Sequence, residues 1–472
     1  MITGRDLIDW GVKGPAIKTG LRLLVPNPKD FGRAQIEAKV RDIVADPSAF
    51  LGDCVPWVAS LAAAMASKAE EDAKATPIRM SKNHCPLTIF GDSMIEPGAI
   101  GQIHVAAKLP ISVRAALMPD AHQGYGIPIG GVLATDNVVI PWAVGVDISC
   151  RMQMTIFDIP AKDASGMKDR LVNVLSSNTV FGAGQDIDVK VDSRVLDDVR
   201  FDLPSIRGLH LRDLATRQCG TSGGGNHFVS FGFVSLPEFD GERLAVLSHS
   251  GSRGVGYKIA DVFSKMAEKE CPLPGDARRL AWLRMDSDAG REYWDAMMLA
   301  ADFAKACHDV IHGRITRAIK AERVGFFENV HNLAWRERLV DGRDVIVHRK
   351  GATPAHLGVY GIIPGSMTTP VYVCRGKGNE AYLFSSSHGA GRLMSRKAAK
   401  EQFTMAQMRG DLDVAGVTLI GGSLDECSMA YKDVTKVMAC QSESVDVIGS
   451  FRSFIVRMAG ESAKPWEKDI GE

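Results

Sequence analysis

Between about Ile78 and Gly460 the apolar residues come in short runs, such as VLATDNVVI, RMQMTIF, LAVLSH and YLFSSS, each closed by a glycine-rich turn. Short runs bounded in this way read as strands, so the stretch predicts an α+β (mixed α/β) domain of mixed sheets flanked by helices and joined by many loops. One long helix interrupts the pattern. In Arg291–Lys320, Tyr293, Met297, Ala300, Ala304, Cys307, Ile311, Ile315 and Ala318 recur every three or four residues and form one apolar stripe. That stripe puts Cys307 in the core and leaves His308 and His312 at the surface. The first 75 residues differ again. They read as helical and poor in catalytic residue types, and ASLAAAMASKAEEDAKA turns from apolar to charged just before Thr76 and Pro77. The expected organisation is a helical N-terminal extension over 1–75, one large glycine-rich catalytic domain over 76–460, and a frayed tail over 461–472.

Charge excludes some partners and leaves others local. Lys plus Arg and Asp plus Glu number 56 each, a net charge of +0, so no global field holds a polyanion and any nucleic-acid site must be a local basic patch. There is no run of about 18 apolar residues and no apolar h-region at the start, which argues against membrane insertion and secretion. The nine cysteines include no C-x-x-C pair. A cytoplasmic protein without a disulfide framework is therefore expected.

Forty-seven glycines, about a tenth of the chain against a usual value near 7%, gather around particular His, Cys and Asp residues. GVDISC places Asp147 and Cys150 three apart after a small-residue turn, a spacing at which a carboxylate and a thiolate can converge on one metal. GTSGGGNHF sets Asn226 and His227 behind three glycines whose amides could approach a phosphate, although no Walker lysine follows. LAVLSHSGSRG ends a buried strand in His249, and ENVHN supplies His331 and Asn332. Three histidines, an aspartate and a cysteine make a mixed N, O and S set for Mn, Fe, Co or Zn. Any one of these residues taken singly reads first as a hydrogen-bonded structural side chain.

HRKGATPAHLG, IIPGSMTTPVYV and SSSHGAGRLMSRKAAK combine hydroxyls, glycines and cations, a composition suited to a phosphate-binding floor. His388 follows a polar strand end and precedes a Gly-Ala-Gly turn. A neutral imidazole there can attack phosphorus, with Arg392, Arg396 and nearby amides stabilising the developing charge; the alternative is a turn histidine that caps the following helix.

In order along the chain, MPDAHQGYGIPIGG, GVDISC, GTSGGGNHF, SHSGSRG, VHN, RKGAT, IPGSM, SHGAGRLMSR and AYKDV resemble the blocks of the RtcB family of GTP-dependent RNA ligases. The resemblance runs from about Ile95 to Gly460. It implies two Mn(II) ions held by Asp147, Cys150, His227, His249 and His331, with Cys150 bridging, and His388 as the nucleophile. It implies GTP contacts from Asn226, Asn332, the loop Pro364, Gly365, Ser366 and Met367, and the turn Gly389, Ala390 and Gly391, with Tyr431 against the base. Asp120 and His122 would shape the RNA end or support the ligands. The implied reaction joins RNA 3′-phosphate or 2′,3′-cyclic phosphate ends to 5′-hydroxyl ends through a His–GMP intermediate, in tRNA splicing or RNA repair, with an archease-type activator as the protein partner.

The departures from the family pattern fall on the nucleotide side. Ser230 stands where the family has Glu, Val371 where it has Ser, and Ala459 where it has Lys, with Arg457 as a replacement cation. Arg151 follows the metal cysteine where Gly is usual, so it either crowds the ligand turn or adds a phosphate contact. Weaker guanine selectivity follows. The alternatives are a paralogue performing 3′-phosphate capping or DNA end joining, and a nucleotide- or RNA-binding module without turnover.

Overall fold

The computed structural model describes residues 2–12, 16–24, 31–74, 78–182, 184–186 and 191–460, with side chains left aside from 67 to 74. The expected tail over 461–472 lies outside the described residues. The chain divides into two compact units, Met1–Pro77 and Ile78–Glu472.

The first unit is helical. Gly4–Asp9, Ala16–Leu24, Arg33–Ala45 and Pro56–Lys74 enclose a core of Leu7, Trp10, Leu24, Ile36, Val40, Ile43, Trp57, Val58 and Leu61. Thr3 starts the first helix with a reciprocal capping box to Asp6, which satisfies amides that a helix start leaves unpaired.

The second unit is α+β. A five-stranded sheet runs in the order Leu87–Ile89, Ser112–His122, Ile129–Thr135, Asp344–Lys350, Asn332–Arg338. A larger sheet runs Tyr360–Pro364, Val371–Gly376, Val445–Gly460, Phe228–Ser235, Arg243–Ser250, Arg151–Pro160, Arg323–Val330, with Thr418–Gly422 paired alongside Val445–Gly460. Its central strands are almost wholly buried, polar residues such as Gln153, Thr155 and Ser248 included. The short pair Ala352–Pro354 and Ser385–Ser387 carries the chain to His388.

Asp288–Ile319 is the long helix of the apolar stripe, and Ser287 caps it through a bond from the Gly290 amide. The expected surface position of His308 and His312 is corrected here, because both are buried. They sit one step round from Cys307 and Ile311 on the edge of the stripe, and hydroxyls on the facing strands give their nitrogens partners. The run YLFSSS is only partly a strand. Glu380–Tyr382 is a short 3-10 turn, Leu383 and Phe384 take left-handed backbone angles, and strand begins at Ser385, since Tyr382 is drawn into a ring stack on Phe90. Among the described residues no helix is long and apolar enough to cross a membrane.

Candidate active site

Four neighbouring strands of the larger sheet deliver the metal-ligand candidates to one end. Cys150 immediately precedes Arg151–Pro160, His227 precedes Phe228–Ser235, His249 is the penultimate residue of Arg243–Ser250, and His331 follows Arg323–Val330. The register pairs Phe228 with His249, His249 with Met152, and Arg151 with Val330, so residues far apart in sequence lie side by side. Ser149, at φ 58°, turns the chain into Cys150, and its amide donates to the Asn332 carbonyl at 2.5 Å. A left-handed serine in a ligand turn is backbone strain of the kind that clusters at functional sites.

Cys150 Sγ lies 3.1 Å from His249 Nε2 and 3.4 Å from His227 Nε2. His249 Nε2 is in turn 3.2 Å from His331 Nε2. The other nitrogen of His249, Nδ1, is 3.2 Å from the Asn226 carbonyl, which can only accept, so Nδ1 carries the hydrogen and Nε2 presents a lone pair to the cluster. Cys150, His227 and His249 form a set that could hold one cation. Asp147 and His331 extend it, Asp147 through His227 at 3.0 Å and through the Ser252 amide at 3.1 Å. Gly251 permits this, because a Cβ there would collide with the Asp147 carboxylate. Burial raises the Asp147 pKa, but the His227 bond and charge outweigh it and hold the carboxyl below its usual value. Thiol, imidazole and carboxylate donors converging in a buried pocket fit a borderline transition ion, which would displace the protons these groups share.

His388 stands beside this cluster, with its ring centroid 5.1 Å from that of His331. Its Nδ1 is 2.7 Å from Asp120 Oδ2, and the same oxygen accepts the amides of His388 at 3.2 Å and Gly389 at 3.3 Å. Asp120 is fully buried, so its carboxylate fixes the hydrogen on Nδ1 and the ring lone pair on Nε2. Gly391, at φ +73°, lets the turn pass over the Asp120 carbonyl, where a Cβ has no room. Lys432 ties the two segments together: its Nζ donates to the carbonyls of Ala121 at 2.7 Å and Pro119 at 3.3 Å, and its amide donates to Gly391. The helix after this turn, Arg396–Gln402, is capped by Ser395, so His388 is not its cap.

A cleft of about 780 Å³, measured to its open mouth, runs from His249 and His388 past Tyr431. Of the expected nucleotide residues, Asn226, Val371, Tyr431, the loop Pro364–Met367 and the turn Gly389–Gly391 line it. Ser230 and Asn332 are not among its lining residues. Ser230 is buried and bonded to Ser453 Oγ, and it is Ser453 that reaches the cleft. The Asn332 amide is spent on the Asp147 carbonyl and the Gly351 amide, which ties the ligand turn to the neighbouring strand. The cleft wall made by Phe228, Met367, Val371, Val456 and Met458 is uncharged.

Two of the expected cations, Arg151 and Arg457, take other places, whereas Arg392 lines the cleft. Arg151 neither crowds the ligand turn nor faces a phosphate, because its guanidinium pairs with Glu328 at 2.8 Å. Arg457 lies over the Phe181 ring, on the opposite strand face from the cleft residues Val456 and Met458. Arg392 donates to the carbonyls of Met394 and Asp425 and pairs with Glu426, and so braces Tyr431, whose hydroxyl donates to the same glutamate. Burial, followed by the Glu426 charge, pushes the Tyr431 phenol well above its usual range, which keeps it a neutral donor. Sequence reasoning gave Lys432 and Glu426 no role. Lys432 stands inside a quoted block, and an ionised side chain in a buried stretch was the signal available.

A family model described as tRNA-splicing ligase RtcB matches residues 102–202 and 204–457. The RNA-splicing ligase RtcB1 of Escherichia coli is 33% identical over 400 residues, covering 76% of this chain and 94% of that protein. The tRNA-splicing ligase RtcB of Thermococcus kodakarensis is 31% identical over 429 residues, 75% of this chain and 89% of that one. The RNA-splicing ligase RtcB of Mycobacterium tuberculosis is 32% identical over 416 residues, 73% and 96% respectively.

Proposed function

This chain belongs to the RtcB family and is on that ground an RNA ligase of RNA splicing or repair, and we propose that it uses Mn(II) and GTP to join 3′-phosphate or 2′,3′-cyclic phosphate ends to 5′-hydroxyl ends. The observation that carries the reading is the placement of one Asp-oriented imidazole, His388, beside a buried Cys/His cluster in a single cleft. A binding module has no need of a nucleophile whose tautomer is fixed.

The residues imply an order of events. A cyclic phosphate end is first opened by water to the 3′-phosphate. His388 Nε2 then attacks the α-phosphorus of GTP; a P–N bond forms, the bond to the β-phosphate breaks, and pyrophosphate leaves. Asp120 holds Nδ1–H throughout and stabilises the charge the ring gains. The RNA 3′-phosphate takes GMP from the ring, which restores the imidazole. The 5′-hydroxyl of the second end attacks that phosphorus, forms the phosphodiester and releases GMP. Mn(II) ions held by Asp147, Cys150, His227, His249 and His331 would neutralise phosphate charge in these transfers. The Gly389–Gly391 turn and the Pro364–Met367 loop would seat the phosphates and ribose, with Tyr431 against the base. We place the activity in the cytoplasm, with an archease-type activator as the proposed protein partner.

The test is direct. Two RNA oligonucleotides bearing these ends, incubated with the protein, Mn(II) and GTP, should yield a joined product, and no product with either component left out. Joining that proceeds equally without GTP contradicts the nucleotide role.

A further inference from the structure

Behind the strand that carries His249, a second set of buried polar side chains faces the long helix. His308 and His312 are one turn apart on Asp288–Ile319, on one face. Thr155 Oγ1 is 2.8 Å from His312 Nδ1, His312 Nε2 is 2.7 Å from Ser248 Oγ, Ser248 Oγ is 2.6 Å from His308 Nδ1, and His308 Nε2 is 3.1 Å from the Ser250 carbonyl.

The last contact orders all the others. A carbonyl cannot donate, so His308 carries its hydrogen on Nε2 and accepts at Nδ1. Ser248 must therefore donate its one hydroxyl hydrogen to His308, and it accepts from His312 Nε2–H. His312 then accepts at Nδ1, and Thr155 donates. Each of the four ring nitrogens is satisfied once, with no spare proton and no net charge, which a dry interior requires of buried polar groups. Burial, followed by the charge of Arg151, pushes His308 well below the usual imidazole range, and burial with Arg323 and Lys305 takes His312 down to about 3.

We propose that Thr155, His312, Ser248 and His308 form a proton-ordered chain whose task is to position His249 and the turn that follows it. The chain grips the strand at Ser248 and at Ser250, the two neighbours of His249. Strand alternation sends the Ser248 side chain to the helix and the His249 ring to the metal-ligand cluster. Two residues beyond Ser250, the Ser252 amide holds Asp147. Ser250 Oγ also meets Ser222 Oγ at 3.2 Å, in the segment that leads into the loop of His227. One end of the chain is thus linked to three ligand candidates: to His249 through its two neighbours, to the Asp147 carboxylate through Ser252, and to the loop of His227 through Ser222. His308 and His312 act through other residues and touch no reacting atom, so they are positioning residues. The proposal rests on the assignment of His249 as a ligand.

The experiment uses cobalt(II) alone as probe on the full-length metal-free chain, with the thiolate-to-cobalt absorption band and the dissociation constant as readouts and denaturant unfolding in parallel. Ser248→Ala and His308→Leu should weaken cobalt binding by roughly 10- to 100-fold, the usual effect of removing support behind a ligand, and blunt the band. Cys307→Ala on the same helix should leave the constant unchanged. Unchanged constants in both Ser248→Ala and His308→Leu, with only stability lost, overturn the positioning role while leaving the ligand assignment standing. Absence of any thiolate band in the wild-type chain overturns both. Long-range proton–nitrogen correlation spectra of the wild-type histidines give a check that needs no variant: both rings should be neutral Nε2–H tautomers, and an Nδ1–H form of either contradicts the chain.

Discussion

The strand Arg243–Ser250 separates two groups of buried histidines that differ in one respect. On the helix side, His308 and His312 spend every ring nitrogen on a hydroxyl or a carbonyl. On the other side, the Nε2 atoms of His227, His249 and His331 turn toward one another and toward a thiol. Burial is nearly the same in the two groups; what differs is the kind of partner, hydroxyls and a carbonyl on the helix side, a thiol, a carboxylate and other imidazoles on the far side. A nitrogen paired with hydroxyls is finished as a structural element, whereas a ring of lone pairs around a sulfur is stable only with shared protons or a cation. The contrast, more than the residue types, marks the set that could hold an ion.

Cys150→Ser breaks the comparison most severely. It replaces the soft donor at the centre of the ion-facing side, and should cost at least one metal per chain by mass spectrometry and more than about a hundredfold in ligation. Full metal content in that variant removes Cys150 from the ligand set. Asp120→Asn comes next. It keeps the shape but no longer favours Nδ1–H on His388, so the rate of nucleotide transfer to the protein should fall by about 10²- to 10⁴-fold, the range seen when an orienting carboxylate is neutralised, with metal content intact. An unchanged rate in a rapid-quench assay shows that Asp120 only supports the fold. Cys307→Ala sharpens the other side: a buried small hydrophobe lost from the helix stripe should cost about 1 to 2 kcal/mol in denaturant unfolding and change neither metal content nor ligation.

The smallest effect concerns the base. The cleft wall of Phe228, Met367, Val371, Val456 and Met458 offers no ion to guanine, and charge-assisted bonds lost at such a wall are worth roughly 1.5 to 3 kcal/mol each. GTP should therefore be favoured over ATP, CTP and UTP by less than about a thousandfold in the labelling assay. A larger preference means that groups elsewhere in the cleft, with Glu426 and Ser453 the first to examine, read the base.

How much of this the chain announced depends on where the partners come from. Asp147, Cys150, His227, His249, His331 and His388 are legible because each is flanked by glycines or sits at a strand end, local features that a linear reading can see. The chain cannot announce that four strands align in register to bring the ligand candidates together, since two of the three pairings join residues far apart in the chain, Met152 with His249 and Arg151 with Val330. His308 and His312 are the converse case: helical periodicity assigns them to the surface, and only the facing Thr155 and Ser248 hydroxyls make that flank of the helix an interior. In the linear sequence Arg151 and Arg457 are equally suited to a phosphate or a base, and only the fold sets Glu328 and Phe181 beside them. Asp120 was legible as a residue of interest, but its place under His388 comes from a contact between residues 268 positions apart.

The account stands on His388 as a nucleophile working next to the ion-facing histidines. The measurement that tests it most directly is covalent labelling of the purified protein by α-³²P-GTP with Mn(II), in the wild type and in His388→Ala. The account predicts a labelled wild-type band that is lost in acid and survives alkali, as a phosphoramidate should, and no label in the variant, whose metal content stays nearly intact. A labelled His388→Ala band, or an acid-stable adduct on the wild type, would contradict it.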